Sequence, residues 1–119
     1  MQKTDYSKIY SFDLFSARKI HFVGIGGIGL SAIAKLMLAQ GKSVSGSDSN
    51  DSEILEDLRR NGAKIFIGQK AENLADDTEL VIYTLAIPAS NSERVKAEKL
   101  KIQTLAYPEA LGILFNDSA

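Results

Sequence analysis

Four of the six residues in Gly24-Ile-Gly-Gly-Ile-Gly29 are glycine, and this is the segment best suited to chemistry. It follows a short β-rich run, Lys19–Val23, and precedes an apolar stretch with helical spacing. In that context a GxGxxG pattern reads as a turn that holds a diphosphate at the start of a helix. Gly24 is expected to let the chain turn tightly off the strand. Gly26 is expected to remove a side chain that would block a phosphate, on a face otherwise open to solvent. Gly29 is expected to let the helix pack closely on the sheet. The free N–H groups of the first helical turn, around Gly27 and Ile28, point at the same spot, where the helix dipole favours an anion. A tight turn without a ligand is the plainer reading, but so many glycines cost backbone entropy that a mere turn does not require.

Asp48 closes the next β-rich run, 24 residues after Gly24. An acidic side chain near that position suits ribose hydroxyls, and it disfavours a 2′-phosphate. The bland alternative is an aspartate at a helix entry or a solvated turn. Ser45 and Ser47, on either side of Gly46, offer a small polar neighbourhood for a nucleoside. His21, the single histidine, has no carboxylate at ligand spacing and reads as a packed or edge residue. Gly41-Lys42-Ser43 imitates the tail of a Walker A loop, but the required first glycine would fall at Leu36, and the context runs from helix to strand. The sequence offers no nucleophile–base pair and no metal cluster. Asp76-Asp77 and Glu56-Asp57 read as solvated faces.

These groups need a scaffold, and 119 residues suit one domain. The 45% hydrophobic content and a net charge of −1 describe an ordinary globular chain with interleaved charges. No basic stripe points to nucleic acid, so any anion site must be made by backbone and helix ends. The absence of cysteine excludes disulfides and thiolate metal sites. Residues 1–18 read as neither a signal peptide nor a membrane span, and with no cysteine the chain is expected in a reducing cytoplasm.

From Lys19 onward, short β-rich runs alternate with helical stretches, the pattern of a parallel sheet with crossover helices. Strands are expected at 19–23, 43–47, 64–67, 80–84 and 102–105. Helices are expected at 30–40, from a start pair at Asn50 and Glu53 to Asn61, at 91–99 as a charged surface helix, and from Pro108 to about Phe115. One helical turn falls within 69–77. The fold class is α/β, a doubly wound, Rossmann-like sheet of about five parallel strands with helices on both faces. The expected order is 3-2-1-4-5, with the ligand crevice outside the carboxyl ends of the first and fourth strands. Residues 1–18 read as an N-terminal extension, 19–115 as the domain and 116–119 as a tail. Ile9, Tyr10, Phe12, Leu14 and Phe15 either pack on the sheet or await another domain.

The run Ile20-His-Phe-Val-Gly-Ile-Gly-Gly-Ile-Gly29, with Ser31 and Val44-Ser-Gly-Ser-Asp48, is more specific than the glycines alone. Together with Gly62-Ala-Lys-Ile65, Gly68 and Ala86-Ile-Pro88, it resembles the N-terminal domain of the Mur ligases of bacterial cell-wall synthesis. The resemblance covers Lys19 to about Leu114. It is nearest the branch that adds L-alanine to UDP-N-acetylmuramic acid.

The resemblance implies that this domain holds the UDP part of that sugar nucleotide. The diphosphate would lie on Gly24, Gly26, Gly27, Ile28 and Gly29, with Ser47, Asp48, Gln69, Thr84 and Ala86 around the nucleoside and sugar. It also implies a central domain binding ATP and Mg2+ and a C-terminal domain, neither within these residues. The chain alone is then expected neither to hydrolyse ATP nor to form an amide bond. Two positions depart from the family pattern. Gln69 replaces a histidine and can still donate and accept hydrogen bonds, while Thr84-Leu85 replace two serines and keep one hydroxyl. A ligase that recycles murein tripeptide onto the same sugar nucleotide is one alternative. The NAD-binding domain of an oxidoreductase or redox-sensing regulator is another, and a fold relative that binds no nucleotide is a third.

Overall fold

The computed structural model describes residues 16–116. The apolar residues Ile9 to Phe15 and the tail after Asn116 lie outside the described residues.

Strand β1, Lys19–Val23, is buried at every position except Lys19. A strand covered on both faces belongs in the middle of a sheet. It pairs in parallel with β2 (Ser43–Asp48) on one side and β4 (Leu80–Tyr83) on the other. Strand β3 (Lys64–Ile67) extends the sheet beyond β2, and β5 (Gln103–Ala106) extends it beyond β4, again in parallel. The order β3-β2-β1-β4-β5 is the expected one. It reverses between β1 and β4, so the connections leaving these two strands diverge and open a crevice at their carboxyl ends.

The helices divide between the faces. Helices α1 (Ile28–Ala39), α2 (Glu53–Arg60) and α4 (Tyr107–Asn116) cover one face. There Leu30, Ile33, Met37, Leu55, Leu58 and Ile113 pack with Ile20, Phe22, Val44, Leu80 and Ile82. Each large apolar side chain fully buried in this way contributes about 1.5–3 kcal/mol. Helix α3 (Ser92–Lys99) covers the other face, where Ala97 and Leu74 meet Val23 and Val81. Ala17 is already part of the core, and the Arg18 carbonyl accepts from Ser43, so packing begins before Lys19.

Local chemistry sets the helix ends. Gly41 ends α1 with φ +81, a left-handed conformation that glycine adopts without strain. Helix α2 starts two residues later than the Asn50–Glu53 pair suggests. Its cap is Ser52, whose hydroxyl accepts from the Leu55 N–H, while Asp51 is drawn aside to Arg59. Asn91 caps α3 by accepting from the N–H groups of Glu93 and Arg94. Pro108 occupies the first turn of α4, and Glu109 reaches back to accept from the Ala106 N–H. The single turn between β3 and β4 is a 3-10 helix, Ala71–Asn73.

The paired acids lie on the surface, as expected, and there they form ion pairs. Asp77 meets Lys19, Asp76 meets Lys96, Asp57 meets Lys35 and Glu56 meets Arg59. Among the described residues, no helix is long and apolar enough to cross a membrane.

Candidate functional site

The carboxyl end of β1 runs into Gly24, whose φ of +86 justifies a glycine there. The N–H groups of Gly24 and Ile25 donate to the Ser47 carbonyl at 2.9 and 3.0 Å, tying the turn to the end of β2. A Cβ on Gly24 would run into the Thr84 methyl, so the turn also abuts the loop after β4. Helix α1 then starts after Gly27, which has extended backbone and makes no side-chain cap. Geometry leaves the first helical N–H groups without intrahelical acceptors. Those of Ile28, Gly29 and Leu30 find none among the described residues. The first turn carries no acidic residue, and Ile28 is 84% exposed. The positive end of the α1 dipole therefore faces solvent at the crevice.

The glycines divide their work differently from the sequence expectation. At Gly26 the face is not open. A Cβ there would lie 2.8 Å from Asp48 Oδ2, and that carboxylate already accepts from the Gly26 N–H at 2.9 Å. Gly26 is small so that Asp48 can close on the turn. The open position is Gly27, where the nearest atom to a Cβ would be the Gly24 carbonyl oxygen at 3.6 Å. Gly29 allows close packing, but not against the sheet. Its Cβ would meet the Tyr107 ring at 2.5–2.8 Å, so the partner is the start of α4. Gly46 is a further requirement that the sequence did not announce. A Cβ there would press on Ile25 and on the Phe22 carbonyl, both under 3.0 Å.

The remaining candidates gather around this turn. Asp48 keeps Oδ1 largely uncommitted, its nearest donor being the Asn50 N–H at 3.5 Å. The Asp48 carbonyl accepts from Gly68, which brings Gln69 beside it at the end of β3. Thr84 and Ala86 lie on the loop after β4, Thr84 half-buried and Ala86 exposed. Leu85, which cannot hydrogen-bond, is 70% exposed. Arg94 holds this loop from below, stacking 3.7 Å from the Tyr83 ring centre and donating to the Ile87 carbonyl. Ser47 departs from its expected role. It is fully buried and its hydroxyl donates to Glu93, so the side chain supports the site from within.

That bond belongs to a polar cluster the sequence reading missed. His21 is fully buried, with Nδ1 2.7 Å from Ser45 Oγ and Nε2 2.6 Å from Glu93 Oε1. Glu93, also fully buried, accepts from Asn73 through Oε2, and the same Asn73 amide donates to the Gly68 carbonyl. His21 is therefore a packed residue, but it does have a carboxylate partner, 72 residues away in sequence. The helix 92–99 is consequently not a simple surface helix, since Glu93 and Ala97 face inward. The available signal was a lone histidine in the strand destined for the centre, which needs a polar partner wherever it is buried.

Gly41-Lys42-Ser43 forms the helix-to-strand turn at the opposite end of α1 from the glycine turn. There Lys42 donates to the Ala17 carbonyl. A cavity of about 550 Å3 between α1 and α4 is lined by Ile33, Leu36, Tyr107, Leu111 and Phe115. Apart from the Tyr107 hydroxyl, its side-chain lining is apolar and lacks the several convergent polar groups that orient a nucleotide. Among the described residues, no three His, Asp or Glu side chains form a cluster that could hold a metal ion.

Residues 19–119 match the family described as Mur ligase family, catalytic domain. A UDP-N-acetylmuramate–L-alanine ligase of Clostridium kluyveri is 47% identical over 102 residues, covering 86% of this chain and 22% of that protein. A crystal structure of a UDP-N-acetylmuramate–alanine ligase from Thermotoga maritima matches with a TM-score of 0.75 at 39% identity. That match covers 78% of this chain and 21% of the other. A murein peptide ligase from Psychrobacter arcticus matches with a TM-score of 0.74 at 25% identity, covering 80% and 20%. The chain spans about a fifth of the length of these relatives.

Proposed function

The chain belongs to the Mur ligase family, and from that membership we propose that residues 19–115 hold the UDP part of UDP-N-acetylmuramate. The whole enzyme would be a bacterial cytoplasmic ligase that adds L-alanine to this sugar nucleotide, using ATP and Mg2+ bound by its other domains. The observation that carries the reading is the start of α1. It opens on the crevice between β1 and β4 with no side-chain cap and no acidic residue. By contrast α2, α3 and α4 begin with Ser52, Asn91 and Glu109 satisfying backbone donors. A diphosphate supplies the acceptors that α1 lacks.

In this reading the diphosphate lies over Gly24, Gly27, Ile28 and Gly29, with Gly26 holding Asp48 in place. Asp48 Oδ1 accepts from a ribose hydroxyl, Gln69 meets the base, and Thr84 and Ala86 bound the sugar. The identities of 47% and 39% with L-alanine ligases, against 25% with the murein peptide ligase, favour the L-alanine branch.

A nicotinamide dinucleotide could place its own diphosphate on the same turn, so the turn alone does not discriminate. Parallel calorimetric titrations with UDP-N-acetylmuramate, UDP and NADH test the proposal. UDP and its sugar should bind in the micromolar to millimolar range, about −8 to −4 kcal/mol. Saturable NADH binding without a UDP response would overturn it.

A further inference from the structure

We propose that Asn91 sets the base preference of the nucleoside site by fixing which end of the Gln69 amide faces outward. The inference rests on the function proposed above and concerns the part of the site that the diphosphate turn cannot explain.

Asn91 makes three hydrogen bonds with its side chain. Its Oδ1 accepts from the N–H groups of Glu93 and Arg94 at 2.9 and 3.2 Å, capping α3. Because a backbone N–H can only donate, the atom facing these two groups must be the oxygen. The amide nitrogen Nδ2 is thereby forced to the other side, where it lies 2.6 Å from the Gln69 side chain. An amide NH2 can only donate, so Gln69 must turn its Oε1 toward Asn91. Gln69 then carries its own NH2 on the side away from Asn91. That group has no hydrogen-bond partner among the described residues, and the side chain is half-buried. The orientation of both amides follows from the α3 cap, independently of the usual ambiguity between amide O and N.

The backbone carrying Gln69 is equally constrained. The Gly68 N–H donates to the Asp48 carbonyl at 2.8 Å, and Asn73 donates to the Gly68 carbonyl at 2.9 Å. Gln69 thus directly follows the residue bonded to the end of β2, where Asp48 sits, and carries a fixed donor. A ribose held by Asp48 would bring its base toward that donor. The exocyclic O4 of uracil accepts, whereas the N4 amine of cytosine donates and would meet the Gln69 NH2 donor to donor. Loss of one hydrogen bond, with a donor left facing a donor, disfavours cytosine by about tenfold.

The test compares UDP and CDP binding by calorimetry for the unmodified chain and for Asn91→Asp. Aspartate keeps an oxygen for the α3 cap, but its second oxygen also accepts. Gln69 must then turn its NH2 inward and present Oε1 outward, which suits cytosine. The added charge weakens both diphosphates alike, so the UDP-to-CDP ratio is the readout. The unmodified chain should prefer UDP about tenfold, and Asn91→Asp should bring the ratio to parity or reverse it. Gln69→Met, which keeps the size and removes both polar atoms, should bring the ratio to parity without touching the cap. A ratio unchanged by both variants, or no preference in the unmodified chain, overturns the inference and leaves the site standing. Absence of binding by either nucleotide overturns both the site and the inference.

Discussion

Gly26 and Gly27 are adjacent, yet their surroundings differ, and on the proposed reading alanine at each should separate binding from stability. At Gly27 the backbone is already in a conformation open to any residue, with φ −64 and ψ 148, and a Cβ makes only ordinary contact. Two small effects on stability oppose each other. Alanine restricts the unfolded chain, which stabilises by about 0.4–1 kcal/mol. It is also a poorer helix cap than glycine, which costs a comparable amount. The net change should stay within about 0.5 kcal/mol, a shift of only a few degrees in melting temperature. On the proposed reading binding should suffer far more, because the methyl group takes up open space at the turn where the diphosphate would lie. Hydrogen bonds to a charged group are worth about 1.5–3 kcal/mol each, so weakening one lowers UDP affinity at least about tenfold. Gly26→Ala has the opposite emphasis. Its Cβ would push on the Asp48 carboxylate and strain the 2.9 Å bond from the Gly26 N–H. That should cost about 1–2 kcal/mol, or roughly 4–8 °C in melting temperature for each kcal/mol. Differential scanning calorimetry and UDP titration on both variants provide the comparison. UDP affinity for Gly27→Ala within about twofold of the unmodified value would show that no diphosphate approaches this turn.

Two further outcomes follow from buried and surface carboxylates. Glu93→Ala removes the shared acceptor of His21, Ser47 and Asn73 and should lower unfolding free energy by about 3–5 kcal/mol in urea denaturation; a loss under about 1 kcal/mol would contradict the buried network. Glu79 accepts from the N–H groups of Arg18 and Lys19, which hold its carboxyl below the usual carboxylate range. Because the depressed value belongs to the folded state, the stabilisation is present above the unfolded carboxylate range, about pH 4–5, and is lost as pH falls through the folded value. Glu79→Gln should therefore make the acid limb of a stability–pH curve shallower, and an unaltered limb would refute this assignment.

What could be read from the sequence was whatever local spacing encodes. The glycine turn, the apolar run of β4 and the stop at Gly41 each follow from a few adjacent residues, the parallel sheet follows from the alternation of elements, and its order follows from the dinucleotide-binding type of fold that the glycine turn marks. What escaped the reading depends on contacts across the sheet. Gly46 is needed because Ile25, 21 positions earlier, folds over it. Gly29 is needed because α4 begins with Tyr107, a residue with no sequence relation to the turn. The α2 cap was misplaced by two residues because Asn50, Asp51 and Ser52 are all competent caps. The choice falls to Ser52 once Arg59 engages Asp51.

The buried polar cluster shows why such long-range placement matters for the site. A His–Glu pair at full burial is not needed for stability as such, since well-packed apolar residues of similar volume often do as well. Its geometry does something an apolar patch cannot, because hydrogen bonds fix direction as well as distance. His21 belongs to β1, Ser45 and Ser47 to β2, Asn73 to the 3-10 turn, and Glu93 to α3. Through these residues Glu93 joins four segments, and the Asn73 amide carries the connection on to the Gly68 carbonyl. The same first turn of α3 also supplies Asn91 to Gln69 and Arg94 to the loop after β4. The end of α3 is therefore a common anchor for the β3 and β4 loops, beneath the strand ends where the glycine turn and Asp48 meet. On the proposed reading, discrimination between nucleotides that share a diphosphate comes from Asp48 and from those two loops, because the turn itself presents no polar side chain.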